Sequence, residues 1–373
     1  MAMVDVLSEA LNLVKAGETA ALSTIVSSKG SLPMSKKAKM LVSSDGKIVG
    51  TVGGGCLEAD VWAEAKQVIE TGQATLQQFV LTEKHAGEDG LTCGGTVEIF
   101  TEPLGPDGSE EVLGAIDRIR AERASAALAT LVSGGEAGSE VAKLLVRADG
   151  TTLGSLGTEA ADAAVLAELE EEDSVPEGLL KVIELEQGEP TKVFVESICP
   201  EPALYLFGGG HVSLAIARVA QTVGFHIVVV DDRDTFANRE RFPMADDAQV
   251  LELDTAFEDL AIDDLSYLVA VTRGHQYDKT VIRQAVRTNA AYIGMIGSRR
   301  KIALMWKELE AEGVRRERLD AIHAPIGLDI GADTPAEIAV SVVAELIQSR
   351  RSGGKPAHEV RSLSAERSAA SVA

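Results

Sequence analysis

The stretch "TVGGGCLEADV" places three glycines and a cysteine directly before a helical pattern. If a helix begins near Cys56, then Gly53, Gly54 and Gly55 leave backbone N–H groups free to point at an anion. A helix start also favours the thiolate form of a cysteine, which is a nucleophile and a soft metal ligand. Glu58, in the first turn, is in position to stabilise the helix dipole or to transfer a proton. The alternative is a cysteine packed in a tight turn.

The chain repeats the scaffold around this stretch. "AKMLVSSDGKIVGTVG" at 38–53 recurs as "AKLLVRADGTTLGSLG" at 142–157, and "AALSTIV" at 20–26 recurs as "AALATLV" at 126–132. Each copy also opens with an amphipathic helical pattern and carries β-branched runs joined by an Asp-Gly turn. Residues 1–197 are therefore interpreted as a duplicated α/β unit.

The two copies differ at the residues that could do chemistry. Thr158 and Glu159 stand in the second copy where the first has Gly54 and Gly55, and Ala160 stands in place of the first thiol. The first copy's other thiol, that of Cys93, also has no counterpart. Because the second copy does without these residues, we interpret them as candidates for function rather than for folding.

A second glycine loop lies in the C-terminal half, within "ALYLFGGGHVSLAIARVAQTVGFHIVVVDDR". Gly208 and Gly210 occupy the first two glycine positions of the dinucleotide fingerprint, Ser213 occupies the third, and His211 follows the loop. Asp231 stands where the fingerprint places an acid for a ribose hydroxyl. The pattern predicts a Rossmann-like fold and leaves open whether a dinucleotide binds.

Two further loops, in "TRGHQYDK" and "GMIGSRRK", follow predicted strands. Loops at the carboxyl ends of parallel strands gather at one edge of an open sheet. Each polar residue in them could be an ordinary surface group, but together they favour an anionic ligand. The residues expected at this edge are Arg273, His275, Gly297, Ser298, Arg299 and Arg300.

Composition limits the partners. The 373 residues include 35 Lys and Arg against 58 Asp and Glu, a formal net charge of −23, which repels nucleic acid and anionic membranes. No apolar run is long enough for a membrane span, and the first residues lack the basic start of a signal peptide. Three cysteines are an odd number, which indicates reduced thiols. We therefore expect a cytoplasmic protein without nucleic-acid or membrane partners.

The fold class that follows is α/β, with a duplicated α/β unit at the N-terminus and a Rossmann-like, doubly wound parallel sheet at the C-terminus. Two prolines in "CPEPALYL" mark the linker between them. The polar tail is expected to be disordered. The predicted boundaries are 1–197, with repeats at 1–104 (copy one) and 110–197 (copy two), then 203–349 and the tail 350–373.

Several motifs are shared with one known family: "SLPMSKKAKMLVSSDGKIVGTVGGGCLE", "CGGTVEIF", "FGGGHVS", "TRGHQYD", "YIGMIGSRRK" and "PIGLDIGADTPAEIAVSVVAE". Over roughly residues 5–348 the chain resembles the xanthine dehydrogenase accessory factor family, also called the XdhC and CoxI family. The resemblance implies a chaperone that binds the sulfurated molybdenum cofactor and inserts it into a molybdenum hydroxylase apo-enzyme. A cysteine desulfurase that sulfurates the cofactor is the second implied partner.

The resemblance also suggests roles for individual residues. It implies that Cys56 ligates molybdenum or carries a transferable sulfur, with Cys93 in support. The chain departs from the family pattern at Met34 and Lys37, where the family typically has arginine and glycine. If that arginine binds the pterin phosphate, this chain is expected to use Lys36, Lys37 or Lys39 instead, or to bind the cofactor differently.

Two other functions remain open from the sequence. One is an NAD(P)-dependent oxidoreductase whose dinucleotide site is the Rossmann-like domain, with His275 as the acid–base candidate. The other is a scaffold for partner proteins without a ligand, which the unequal decay of the repeat disfavours. A homodimer is expected because two-fold assemblies are the commonest.

Overall fold

The computed structural model describes residues 5–30, 35, 38–80, 95–106, 108–133, 141–170, 180–187 and 189–351. The helices are α1 (Val6–Lys15), α2 (Cys56–Thr71), α3 (Ser109–Ala121), α4 (Glu159–Glu170), α5 (His211–Gln221), α6 (Ala256–Asp259), α7 (His275–Ala285), α8 (Arg299–Ala311), α9 (Arg316–Asp320) and α10 (Pro335–Arg351). The strands are β1 (Ala20–Lys29), β2 (Lys39–Ser43), β3 (Ile48–Gly50), β4 (Thr75–Val80), β5 (Thr96–Leu104), β6 (Ala126–Ser133), β7 (Lys143–Arg147), β8 (Thr152–Ser155), β9 (Leu180–Gln187), β10 (Glu189–Ile198), β11 (Ala203–Phe207), β12 (His226–Asp231), β13 (Asp247–Val250), β14 (Ser266–Ala270) and β15 (Tyr292–Met295).

The chain divides into two compact units between Pro200 and Glu201. The N-terminal unit contains two five-stranded antiparallel sheets with the same strand order, β3-β2-β1-β5-β4 and β8-β7-β6-β10-β9. Gly50 and Gly154 occupy equivalent positions, both with φ 82°, and an added Cβ would lie 2.3 Å from a carbonyl oxygen in each. The predicted duplication is confirmed, and these glycines belong to its scaffold.

The two copies share one interior. Helices α1 and α3 pack with strands of both sheets in a single hydrophobic cluster. Of the described ion pairs between the copies, two are reciprocal: Lys39 of copy one pairs with Glu196 at 2.8 Å, and its counterpart Lys143 pairs with Glu102. Both pairs line a cavity of about 30 Å³. The ion pairs thus repeat the symmetry of the duplication.

The C-terminal unit is built on a parallel sheet with the order β13-β12-β11-β14-β15. One hydrophobic cluster packs α5 and α10 against one face, and a second packs α7 and α8 against the other. This confirms the predicted Rossmann-like, doubly wound sheet. None of the described helices combines the length and apolar character needed to cross a bilayer.

Candidate functional site

The glycine–cysteine stretch leads directly into α2, as the sequence predicts. Gly53 has φ 151°, and Gly55, which precedes the helix, has φ 67° and ψ −133°, a region that other residues avoid. Among the described residues, no side chain caps the helix start, and a Cβ added at Gly54 would meet no atom within 4 Å. Cys56 is the first helical residue, and its side chain lies outside what the structure describes. The helix start is therefore open on this side.

Copy two closes the same position with its own side chain. Thr158, the counterpart of Gly54, accepts a hydrogen bond at its Oγ1 from the backbone N–H of Ala161 at 3.1 Å. This is ordinary N-capping, which satisfies a donor that the helix leaves unpaired. The two copies therefore differ at this position: α4 satisfies a first-turn donor with its own side chain, whereas no described side chain does so at α2.

Glu58 has a structural explanation. Its carboxylate accepts a hydrogen bond from Thr51 Oγ1. Copy two repeats the contact, since Ser155 Oγ donates to Asp162 Oδ2 at 2.8 Å. A contact kept by both copies belongs to the scaffold, so the geometry gives no support to proton transfer by Glu58.

Lys39 does not meet the expectation that it replaces the family's phosphate-binding arginine. Its ammonium group donates to Glu196 at 2.8 Å and to Thr24 Oγ1 at 3.2 Å, and its side chain is only 12% exposed. The ion pair between the copies thus occupies this lysine. Four other residues named from the sequence, Met34, Lys36, Lys37 and Cys93, lie outside the described residues.

The second glycine loop lies where the strand order of the Rossmann sheet reverses, between β11 and β14. Gly208 has φ 108°, and a Cβ there would lie 2.4 Å from the carbonyl oxygen of Val271. The loop after β11 therefore touches the loop after β14. Ser213, in place of the third fingerprint glycine, is buried and donates its hydroxyl to the carbonyl of Gly208. Gly210 precedes α5 without a side-chain cap and with open space beside it, and His211 is exposed.

Asp231 ends β12 as predicted, but the protein occupies its carboxylate. Oδ2 accepts from the Gly209 N–H at 2.8 Å and from Arg233 Nη2 at 3.0 Å. Oδ1 accepts from Arg233 Nε at 2.8 Å and from its backbone N–H at 3.1 Å. Burial raises the pKa of Asp231, but the hydrogen bonds from Arg233 and Gly209 lower it by more, so the net shift is downward. Asp231 is a buried, bonded carboxylate.

Arg273 connects the loops that follow β12 and β14. Its Nη2 donates to Asp232 Oδ2 and to the Tyr277 hydroxyl, both at 2.7 Å, and its guanidinium stacks on the Tyr277 ring at 4.5 Å. The backbone of His275 begins α7 as expected, and its side chain lies outside what the structure describes. The structure therefore brings Arg273 and the VVDDR segment together.

A buried acid that the sequence did not single out fixes the same loop. Asp278, on α7, accepts hydrogen bonds from the N–H of Thr272 at 3.1 Å and from its hydroxyl at 2.5 Å. The ammonium group of Lys301, on α8, also donates to Asp278, which is fully buried. The available signal was that Asp278 and Lys301 each lie in the first turn of a helix after a motif.

The start of α8 joins these contacts through Lys301. Ser298 caps the helix, accepting from the Lys301 N–H at 3.3 Å, and Gly297 packs against that lysine's side chain. Arg299 and Arg300 are exposed and have no hydrogen bond or ion pair within the described part of the chain. The predicted grouping of Arg299 with Arg273 is not seen in the described contacts.

A second buried acid, Glu345, joins α10 to the edge of the sheet. The sequence did not indicate this contact either. Glu345 accepts hydrogen bonds from the Tyr292 hydroxyl at 2.8 Å and the Gly327 N–H at 2.7 Å, and it lies 3.2 Å from His323 Nδ1. Burial and the adjacent carboxylate raise the pKa of Tyr292 well above its usual value. Among the described residues, no three His, Cys, Asp or Glu side chains are grouped to hold a metal ion.

Comparison with known proteins gives a consistent assignment for both units. The C-terminal unit matches the XdhC Rossmann domain over residues 204–346, and the N-terminal unit matches the XdhC and CoxI family over 13–80 and 119–176. A protein of Bacillus subtilis (strain 168), named as a probable subunit of xanthine dehydrogenase, is 27% identical over 359 residues, which are 91% of this chain and 96% of that protein. The uncharacterized protein YqeB of Escherichia coli (strain K12) is 31% identical over 360 residues, which are 95% of this chain and 49% of that protein.

This chain thus spans about half the length of the E. coli relative. In structure, it resembles a protein described as a xanthine dehydrogenase from Bacillus halodurans, with a TM-score of 0.76, 24% identity, and coverage of 93% of this chain and 96% of that one. The structural likeness shows that the two proteins share a fold.

Proposed function

This chain belongs to the XdhC and CoxI family, and we propose that it binds the molybdenum cofactor and delivers it, sulfurated, to a xanthine dehydrogenase-type molybdenum hydroxylase. The name of the B. subtilis relative supports a client of this class. In this proposal the protein is a cytoplasmic chaperone rather than a turnover enzyme. A cysteine desulfurase supplies the sulfur, and the chaperone is a homodimer.

The open start of α2 is the observation that carries the proposal. A molybdenum-pterin is an anion that bears a phosphate and a metal bound by soft sulfur ligands. The N–H groups around Gly53, Gly54 and Gly55 suit the anionic group, and a thiolate at Cys56 suits molybdenum or a transferable sulfur. Cys93 supports that thiol in the same proposal. The donor types of this stretch therefore fit the cofactor.

The loops at the carboxyl edge of the Rossmann sheet are proposed as a second set of cofactor-binding positions. Gly210 leaves the start of α5 open, and Arg273 provides a partly exposed guanidinium near the same edge. The residues in this set are Gly208, Gly210, His211, Asp231, Arg273, His275, Gly297, Ser298 and Arg299. Of these, Asp231 and Ser298 already bond to the protein, so we assign them a supporting role.

The proposal is tested by anaerobic incubation with molybdenum cofactor, followed by gel filtration and analysis of bound molybdenum and pterin. We compare wild type with Cys56→Ala and with Gly54→Thr, which introduces the residue of copy two. The matched control is Thr158→Gly, the reverse exchange in copy two. Wild type and Thr158→Gly are expected to retain cofactor, whereas Gly54→Thr loses it because its own side chain caps or covers the helix start.

The outcomes separate the parts of the proposal. If wild type retains no more molybdenum or pterin than an unrelated protein, cofactor binding is refuted. If Gly54→Thr binds as well as wild type, the site is not at the start of α2. Full retention by Cys56→Ala overturns only the role given to that thiol.

A further inference from the structure

The Rossmann unit has the fold of a dinucleotide-binding domain. Whether this unit binds a dinucleotide is independent of whether the protein delivers the molybdenum cofactor. In such domains the acid after the second strand accepts hydrogen bonds from a ribose, and the backbone of the glycine loop lies against the pyrophosphate. The first requirement falls on Asp231. In the glycine loop, Gly209 contacts the protein, whereas Gly210, the second fingerprint glycine, has open space beside it.

The ribose acceptor is already saturated. A carboxylate has about four lone-pair sites, and Asp231 receives four hydrogen bonds, three of them from Arg233. It is also only 2% exposed. A ribose hydroxyl would have to displace the arginine, replacing charged hydrogen bonds with neutral ones, which are about half as strong.

Arg233 is itself held in place. Its guanidinium stacks on the Phe236 ring at 3.6 Å, and its Nε lies 3.5 Å from Asp232 Oδ1. The hydrogen bond to Asp231 raises the pKa of Arg233 further above its usual value, so it stays charged. Displacement would therefore cost the stacking as well as the ion pairs.

The same segment also covers Gly209 in the glycine loop. A Cβ added at Gly209 would lie 2.1 Å from the carbonyl oxygen of Phe236, so this glycine is required by a protein contact rather than by a ligand. Arg241 Nε donates to the Gly209 carbonyl at 2.8 Å, and Asp231 accepts from its N–H. Both backbone polar groups of Gly209 are thus bonded within the protein.

From this geometry we propose that residues 231–242 fill the ribose-binding half of the Rossmann crevice, and that Arg233 and Phe236 are the specificity-determining residues that exclude NAD. A ligand of this unit then lacks an adenosine on the β12 side. The proposal holds whether or not the start of α2 binds the molybdenum cofactor.

Isothermal titration calorimetry of the full chain with NAD tests this proposal. Wild type is expected to show no binding up to millimolar concentrations. In Arg233→Ala, and more so in Arg233→Ala with Phe236→Ala, Asp231 becomes available, and affinity for NAD is expected to rise about tenfold or more. Arg283→Gln, which removes an arginine paired with Glu312 elsewhere in the unit, is the matched control and should resemble wild type.

The gain in NAD affinity should depend on the Asp231 carboxylate. Adding Asp231→Asn to Arg233→Ala should abolish the gain, because the charged acceptor is lost. Circular dichroism and a thermal melt show whether each variant is folded, and Arg233→Gln is the milder substitute if alanine unfolds the unit. Micromolar binding of NAD by wild type overturns the proposal, as does a folded Arg233 variant that gains no affinity.

Discussion

Breaking one of the two reciprocal ion pairs between the copies should destabilise the N-terminal unit by far more than breaking a surface pair would. In Lys143→Met, Glu102 is left without its cation in a largely buried position, since the two side chains are 16% and 7% exposed. Exposed pairs are worth about 0 to 1 kcal/mol, whereas removing one partner of a buried pair costs about 3 to 5 kcal/mol. The partial burial here places the expected loss at about 2 to 4 kcal/mol.

The assay can isolate the N-terminal unit because the chain has only two tryptophans, Trp62 on α2 and Trp306 on α8. In a Trp306→Phe background, Trp62 fluorescence during urea denaturation follows the N-terminal unit, which avoids treating two units as one transition. The double variant Lys143→Met with Glu102→Leu is the control. It removes both charges and should recover most of the lost stability.

The duplication supplies a second test of the same reasoning. Lys39→Met breaks the reciprocal pair with Glu196, where both side chains are 12% exposed, and should cost a similar amount. A loss below about 1 kcal/mol in both single variants would show that the pairs behave as solvated surface pairs. A double variant no more stable than Lys143→Met would also refute the reasoning, because the cost would then not come from an unpaired Glu102.

Three other predictions concern single positions. Burial raises the pKa of Glu345, but hydrogen bonds from His323, Gly327 and Tyr292 lower it by more, so the net shift is downward. The stability that this shift contributes is present above the unfolded-state pKa and is lost as the pH falls through the folded-state pKa. Glu345→Gln should therefore flatten the acid side of a plot of stability against pH, followed by Trp306 fluorescence. Gly50→Ala and Gly154→Ala should both destabilise strongly in thermal melts, because each has φ 82° and a backbone oxygen 2.3 Å from the new Cβ, whereas Gly54→Ala should not. Ser213→Ala should cost about 1 to 3 kcal/mol in urea denaturation if the Gly208 carbonyl is left buried without a donor.

The sequence could predict the duplicated unit and the Rossmann sheet because their signals are local. The Asp-Gly turns and the glycines at positive φ recur at equivalent positions, and the order of strand, glycine loop, helix and acid lies within one short segment. Side-chain pairing between distant segments has no such signal. Lys39 is one of three lysines that the sequence offers for a ligand phosphate, but it bonds to Glu196 in the other copy, 157 residues away.

The same limit applies to the candidate site. Asp231 stands at the expected position, yet its chemistry depends on where the Arg233 side chain points. The spacing of two residues in the sequence does not show that Arg233 turns back to bond with Asp231. Asp278 and Glu345 look like ordinary helix residues in the sequence, and only the fold shows that they are buried and tie loops to helices. Residue type and position were predictable, whereas the partners of each polar group were not.

The copies have diverged at two pairs of equivalent helix starts, and comparing them identifies which open start suits an anion. Asp5 caps α1, while its counterpart α3 begins after Gly108 without a cap, beside a cavity of about 280 Å³. That start carries Glu110 and Glu111 in its first turn, which disfavours an anion there. At α2 the first-turn acid, Glu58, is engaged by Thr51, and the residue that opens the helix is a cysteine. A soft metal on an anionic pterin therefore favours the start of α2 over that of α3.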